Sequence, residues 1–174
     1  KITNPSDGSL IEYEVPLFDT VVSNLPFVPF EILSDDDISK IEEIRESVKN
    51  TTRINLSGKS DLYAYIIFSL WENLKVGGRL GVIVSNSWLG SDWGKQFRDA
   101  LLWYFDIDEI IMSGNGRWFN NAMVMTTILV LTKKQKSSPE KSQTITFSLL
   151  KKSLTDFEGD EEIKNNLANI VLLD

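Results

Sequence analysis

The strongest constraint on the fold is a continuous apolar run at residues 80–84, Leu-Gly-Val-Ile-Val. An apolar run without alternating polar residues predicts a strand that is covered on both faces, as in parallel sheets. A second apolar run lies within residues 18–24 and ends in the polar pair Ser23-Asn24. Together the two runs predict an α/β fold built around a mainly parallel sheet.

The rest of the chain alternates between two periodicities. Apolar residues at three-to-four spacing predict helices, and apolar runs or strict alternation predict strands. Ser34 is expected to cap the first helix and Ser60 or Asp61 the second, and the pair Gly77-Gly78 is expected to end the second helix. The predicted helices cover residues 36–49, 61–75, 92–104 and 160–171, and the further predicted strands cover residues 107–112, 123–132 and 145–149.

Length and composition exclude several classes of protein. The chain has 174 residues, no Cys, no His and a net charge of −7. The length is that of one domain, and the lack of Cys excludes a disulfide scaffold and fits a reducing cytoplasm. No apolar run is long enough to cross a membrane, and no signal peptide or metal site is predicted. The acidic balance argues against a free-standing nucleic-acid grip, which is usually basic.

The residues after the first long strand are suited to chemistry on an amino group. Asn24 offers a side-chain carbonyl, and Leu25 offers a backbone carbonyl held in an extended conformation by Pro26. Two acceptors on one NH₂ group would orient its lone pair and stabilise the positive charge that develops on methyl transfer. Phe27 offers a π-face for a base. A strand end followed by an ordinary turn would give the same four residues.

Residues 24–27, Asn-Leu-Pro-Phe, resemble the Asn-Pro-Pro-Tyr/Phe motif of amino-group methyltransferases, with Leu25 in place of the first Pro. Residues 74–88 and 90–105 resemble the blocks that follow this motif in adenine-N6 DNA methyltransferases of bacterial restriction-modification systems. Residues 105–112, 117–119 and 123–131 resemble the late motifs of that family, so that the resemblance covers about residues 17–132.

The resemblance implies a partial doubly wound, Rossmann-like sheet of an S-adenosylmethionine-dependent methyltransferase, with parallel strands and an antiparallel late strand. It also implies that Asn24 and the Leu25 carbonyl accept the amino hydrogens of a target adenine that has left the duplex. Phe27 would stack on one side of the base, and Phe119 or Trp118 on the other. A hydrophobic plug under the loop is the alternative for Trp118 and Phe119.

The cofactor pocket implied by the family is incomplete in this sequence. No strand-Gly-x-Gly-helix pattern precedes Asn24, which would itself lie beside the cofactor. The family has an acidic residue that contacts the adenine of the cofactor, and Asp7 is the candidate, with a simple turn aspartate as the alternative. We therefore expect residues 1–150 to be the C-terminal portion of a catalytic domain, residues 151–174 to be a helical tail, and the isolated piece to be inactive.

The expected partners follow from the same resemblance. They are DNA, a specificity or restriction subunit, and a second copy of the chain paired through the strand edge at residues 18–24. Two other functions stay open. The same motif chemistry serves RNA and protein-glutamine methyltransferases, and the substitution at Leu25 would also suit a non-catalytic binding module that has kept the fold.

Overall fold

The computed structural model of the protein describes residues 2–11, 15–114, 116–119, 123–138 and 144–151. The predicted helix at residues 160–171 lies outside the described residues, as does all of the tail beyond residue 151.

Most of the predicted elements are present, with altered ends. The helices are α1 (Asp35–Thr52), α2 (Tyr63–Glu72), the single turn α3 (Ser87–Gly90) and α4 (Gly94–Tyr104), with a 3₁₀ turn at Phe30–Ile32. The strands are β1 (Ile2–Thr3), β2 (Leu10–Ile11), β3 (Phe18–Asn24), β4 (Leu74–Ser85), β5 (Phe105–Ser113), β6 (Thr126–Lys133) and β7 (Thr146–Leu150).

Five strands form one mixed sheet in the order β3-β4-β6-β5-β7. The β3–β4 and β5–β7 pairs are parallel, whereas β6 runs antiparallel to both of its neighbours, β4 and β5. The predicted mixed α/β sheet with an antiparallel late strand is therefore confirmed. Strands β1 and β2 form a separate antiparallel pair.

The main core lies between one face of this sheet and the helices. Alternate residues of β4, namely Leu80, Val82 and Val84, are fully buried there together with Leu129 and Leu131 of β6. The helices α1, α2 and α4 contact one another and contribute to the same core. On the opposite face a smaller cluster is formed by Ile111, Trp118 and Leu150. Since β3 carries the motif and ends beside β4, this packing fixes where the motif lies.

Helix α1 begins where the sequence predicts a cap. The Ser34 hydroxyl accepts a hydrogen bond from the Asp37 N–H, and the Asp37 carboxylate accepts one from the Ser34 N–H, which completes a capping box. The acidic side chains of the first turn also suit the positive end of the helix dipole. The helix ends at Arg53, whose φ of 66° is left-handed. The predicted helix at residues 36–49 is confirmed and is somewhat longer.

The prediction that Gly77-Gly78 ends the second helix is wrong. Helix α2 ends at Glu72, and both glycines lie inside β4. Gly77 has a φ of +75°, which permits the irregular register between β3 and β4. A Cβ atom on Gly78 would lie 2.8 Å from the Lys75 carbonyl oxygen and 3.1 Å from that of Phe18. Gly78 therefore permits a close approach of backbone from its own strand and from β3, and neither glycine ends a helix.

Two adjacent lysines at the end of β6 satisfy the carbonyl groups that the helices leave unpaired. The Lys133 ammonium donates to the carbonyls of Trp71 and Leu74 at 2.8 and 2.7 Å and lies 4.0 Å from the Trp71 ring centroid. The Lys134 ammonium donates to the Leu102 carbonyl of α4 at 2.7 Å. Cations are favourable at helix C-termini. Burial lowers the pKa of Lys133, and the two lysines connect α2 and α4 to the sheet.

Among the described residues, no helix is both long and apolar enough to span a bilayer.

Candidate functional site

The motif lies where the sequence predicts it, at the carboxyl end of a strand. Asn24 is the last residue of β3 and pairs with Ile83 of β4. The Leu25 N–H donates to the Ile83 carbonyl at 3.1 Å, which extends the ladder by one residue. Strand β4 ends two residues beyond Ile83, at Ser85. The carboxyl ends of two parallel strands therefore lie side by side, which is the usual place for a ligand in such sheets.

Asn24 and Leu25 present different groups to the surroundings. The Asn24 side chain is exposed, and its amide has no hydrogen-bond partner in the part of the chain that the structure describes. The Leu25 side chain is only 5% exposed and belongs to the main core. An exposed amide next to a buried anchor leaves the Asn24 carbonyl oxygen available as an acceptor for a ligand.

Two aromatic rings meet next to this strand end although 92 positions separate them in the sequence. The centroids of the Phe27 and Phe119 rings are 6.3 Å apart, and the rings are tilted by 52°. Both side chains are half-buried. Carbon atoms in contact are about 3.5–4.0 Å apart, so a base between two parallel rings needs a separation of about 7–8 Å. The pair could therefore admit a flat ring after a small rotation and separation.

Trp118 has a different environment from Phe119. Its side chain is 6% exposed and packs with Ile111 and Leu150, and the Phe119 ring packs against this cluster from outside. The burial of Trp118 favours the hydrophobic-plug interpretation for that residue. Phe119 is the member of the pair whose ring contacts Phe27. A substrate role for either residue stays a prediction.

Asp7 lies apart from the main sheet, in the turn between β1 and β2. Its carboxylate accepts hydrogen bonds from the Ser9 N–H at 2.9 Å and from the Ser9 hydroxyl at 2.6 Å. These bonds, the hydroxyl first, lower the pKa of Asp7. The geometry is that of a turn aspartate, and the predicted contact of Asp7 with a cofactor stays a prediction.

A hydrogen-bonded polar network at the end of β4 was not predicted from the sequence. The Asp61 carboxylate accepts hydrogen bonds from the hydroxyls of Ser85 and Ser87 at 3.1 and 2.7 Å. The Tyr63 hydroxyl donates to the Ser85 carbonyl at 3.3 Å and lies 3.0 Å from the Ser87 hydroxyl. The network joins the start of α2 to the turn after β4.

The same helix start is connected to the segment after the motif. The Leu62 N–H donates to the Val28 carbonyl at 2.9 Å. Since Val28 directly follows Phe27, residues 61–63 contact both the motif segment and the end of β4. The sequence offered one signal, the polar residues Ser85 and Ser87 at a strand end, but Asp61 was interpreted as a helix cap. The observed N-cap residue of α2 is Leu62.

Tyr63 is expected to make the folded protein less stable at alkaline pH. Burial, the largest cause, raises the pKa of Tyr63 to about 12, and the nearby Asp61 carboxylate also raises it. The pKa of a Tyr in the unfolded chain is about 10, so the folded state holds the Tyr63 proton more tightly than the unfolded state does. The resulting contribution to stability is complete below about pH 10 and is lost as the pH rises toward about 12. Between about pH 9 and about pH 11 we expect the wild-type chain to lose about 1 kcal/mol more stability than Tyr63→Phe. Urea unfolding at both pH values measures this difference. Equal losses in the two proteins would contradict the assigned burial.

The described residues include no cluster of three His, Cys, Asp or Glu side chains that could hold a metal ion. What they do provide is an exposed amide oxygen, a backbone carbonyl next to it and two aromatic faces. This set can accept the hydrogens of an amino group and hold a flat ring. Such groups suit the acceptor side of a group-transfer site, and a cofactor as large as a nucleoside would need contacts beyond them.

Comparison with known proteins identifies a family and sequence relatives. The model of the family described as Eco57I restriction-modification methylase matches residues 8–119. The type II methyltransferase M.BanIII of Aneurinibacillus aneurinilyticus is 33% identical over 116 residues, which is 67% of this chain and 18% of that protein. The chain thus spans less than a fifth of the length of this relative.

Solved structures also share the fold, and two of them illustrate the match. The type I restriction-modification methyltransferase subunit from Streptococcus thermophilus has a TM-score of 0.57 at 20% identity, over 95% of this chain and 34% of the other. A candidate class I S-adenosylmethionine-dependent methyltransferase from Listeria monocytogenes has a TM-score of 0.56 at 19% identity, over 91% of this chain and 43% of the other. At these identities the similarity establishes the fold.

Proposed function

Because this chain belongs to the Eco57I restriction-modification methylase family, we propose that it is the acceptor half of a site-specific DNA methyltransferase that methylates adenine at N6. By the parent protein we mean the longer polypeptide to which we propose that the chain belongs. The observation that carries the proposal is the exposed Asn24 amide at the carboxyl end of β3, next to the contact between Phe27 and Phe119.

In the proposed reaction, the Asn24 side-chain oxygen and the Leu25 carbonyl oxygen accept the two hydrogens of the target amino group. This turns the nitrogen lone pair toward the incoming methyl group and stabilises the positive charge that grows on the nitrogen. The proton that the nitrogen must then lose passes to water. No ionisable side chain is needed as a base, which suits a chain without His or Cys.

The aromatic pair would hold the base. The amino group of a paired adenine is not free to react, so the base has to leave the duplex. Phe27 would then stack on one face and Phe119 on the other, after the rings separate from their present 6.3 Å. Stacking of this kind contributes about 1–3 kcal/mol per base.

S-adenosylmethionine is the proposed methyl donor, as in the class I structure from Listeria monocytogenes. It would supply an electrophilic methyl group next to Asn24, with the methyl–sulfur bond breaking as the methyl–nitrogen bond forms and S-adenosylhomocysteine leaving. Asp7 is the candidate contact for the adenine of this cofactor. The described residues form only the acceptor side, so the other walls of the pocket would come from the rest of the parent protein. We accordingly expect the 174-residue chain to be inactive alone.

The test is transfer of labelled methyl from S-adenosylmethionine by the parent protein to duplex DNA, RNA and protein offered in parallel. We expect label in DNA. Label in RNA or in protein glutamine would identify one of the alternative methyltransferases. Binding of the cofactor without transfer to any of the three would favour a non-catalytic module, the function that the substitution at Leu25 suggests.

The proposed partners are DNA and a specificity or restriction subunit of the same system. With a net charge of −7, the chain is poorly suited to hold DNA by itself, so most of the phosphate contacts would come from other parts of the protein. A cytoplasmic location is proposed on the same grounds as the function.

We also propose that two copies of the isolated chain pair through β3. Among the described residues this strand pairs only with β4 and has no partner on its other edge, and its Val22 side chain is 81% exposed. Open apolar edges tend to add strands, and an added Lys prevents such pairing. Light scattering at high concentration should show a dimer that Val22→Lys converts to a monomer. Ile32→Lys, a change at an exposed residue outside the sheet, is the control. A wild-type monomer would contradict the proposal.

A further inference from the structure

The residue that departs from the family motif, Leu25, is held in place by its backbone. Its N–H donates to the Ile83 carbonyl at 3.1 Å, one step beyond the register pair of Asn24 and Ile83. A Pro at this position has no N–H to donate. The bond therefore exists only because the motif has a residue other than Pro here, and it ties the first residue after β3 directly to β4.

The Leu25 side chain provides a second anchor. It is 5% exposed and belongs to the main core. Side chains alternate along a strand, so Leu25 continues the row of Val21 and Ser23, whose register partners Leu80 and Val82 are fully buried. The side chain of Asn24 consequently points to the other face, where it is exposed.

The two anchors act on the groups that the reaction is proposed to use. Leu25 is the anchored residue, so its own carbonyl is held in place. The Asn24 amide lies on the residue directly before it and is restrained through the same backbone. Pro26 adds to this by keeping Leu25 extended. The family motif has Pro at the position of Leu25, where the ring would fix the backbone φ angle. In this chain a hydrogen bond and a buried side chain restrict the same stretch of backbone instead.

We propose that the N–H and side chain of Leu25 are positioning groups, which hold the Leu25 carbonyl and the Asn24 amide in place for the target amino group. The substitution is then an alternative way to build the motif and not a sign of a decayed site. The inference rests on the proposed function, since it assigns a purpose to the anchors within that reaction.

The first test uses three variants of the parent protein. Leu25→Pro removes the N–H, Leu25→Ala removes the buried side chain, and Leu25→Met keeps both the N–H and the apolar volume. We expect kcat for methyl transfer to fall about tenfold in Leu25→Pro, the size of one lost hydrogen bond of about 1.4 kcal/mol. Leu25→Ala keeps that bond but loses the buried anchor, and we expect a loss of kcat of similar size, whereas Leu25→Met should stay within about threefold of the wild type. The KM for the cofactor should not change.

The matched control is Val76→Ala, which truncates an exposed apolar side chain in the first half of β4, nine residues before the carboxyl end of that strand at Ser85. It should leave kcat unchanged. A merely structural role for Leu25 would lower the melting temperature of Leu25→Ala while leaving kcat at a lower temperature unaltered. A Leu25→Pro variant that is as active as the wild type, or more active, would overturn the proposal.

A second readout does not depend on catalysis. Hydrogen exchange of the Leu25 amide in the parent protein, resolved by fragmenting the peptide that contains it, should be slow because of the bond to Ile83. Fast exchange would overturn the anchoring whatever the activity. Slow exchange in a wild-type parent that transfers no methyl would instead count against the proposed function, so that the two failures are distinguishable.

Discussion

Replacing Asn24 with Ala in the parent protein is expected to lower kcat for methyl transfer by about 10²–10³-fold. The change removes the one side-chain acceptor at the strand end, and losses of this size are typical when a single preorganised polar group that stabilises transition-state charge is removed. The fold should be unaffected, because the Asn24 side chain is exposed and has no partner among the described residues. Single-turnover kinetics with labelled cofactor measures the rate of the chemical step.

Asn24→Asp is the matched variant, because a carboxylate keeps an oxygen acceptor at almost the same place. We expect it to keep considerably more activity than Asn24→Ala. The melting temperatures of both variants should match the wild-type value. If Asn24→Ala transferred methyl at the wild-type rate, Asn24 could not be the acceptor of the amino group, and the proposed site would have to be abandoned.

Replacing Phe97 with Ala should lower the free energy of unfolding by about 3–5 kcal/mol, the range for removing a fully buried aromatic side chain. Phe97 lies on α4, is completely buried and makes edge-on contacts with four other rings at centroid distances of 5.8–6.3 Å, those of Tyr63, Phe68, Trp88 and Trp93. Truncation would leave a cavity at the centre of this group. A loss of that size is a large part of the stability of a typical domain.

The measurement is urea unfolding of the 174-residue chain, followed by tryptophan fluorescence. Phe97→Leu is the control, because it keeps most of the apolar volume and should cost clearly less than Phe97→Ala. The fluorescence of the native state should also change in Phe97→Ala, since Trp88 and Trp93 both contact the removed ring. A loss below about 1 kcal/mol would mean that the α4 packing described above is incorrect.

Local patterns were sufficient to predict most of the elements of the fold. The apolar run at residues 80–84 does lie in a strand of a mixed sheet, and the acids after Ser34 do begin a helix. The predicted membership of a restriction-modification methyltransferase family is also confirmed. The family shares an ordered set of motifs, and such a set survives in a sequence even when single positions such as Leu25 differ.

What sequence reasoning missed depends on contacts between distant residues. Gly77 and Gly78 are predicted as a helix end because Gly commonly has that role, whereas a Cβ on Gly78 would be crowded both by the Lys75 carbonyl of its own strand and by the Phe18 carbonyl of β3, which lies far away in the sequence. Asp61 was interpreted as a cap, but its partners Ser85 and Ser87 follow 24 and 26 residues later. The burial of Trp118 likewise depends on Ile111 and on Leu150 of a different strand.

The most direct test of the proposed function is to identify the product nucleoside. The parent protein would be incubated with duplex DNA and S-adenosylmethionine that carries a labelled methyl group, and the DNA would then be digested to nucleosides and analysed by mass spectrometry. We predict that the label appears in N6-methyladenine and that its initial rate of appearance falls about 10²–10³-fold when the parent carries Asn24→Ala. Label in methylated cytosine would contradict the proposed reaction, and label that enters adenine at the wild-type rate in the Asn24→Ala variant would contradict the proposed site.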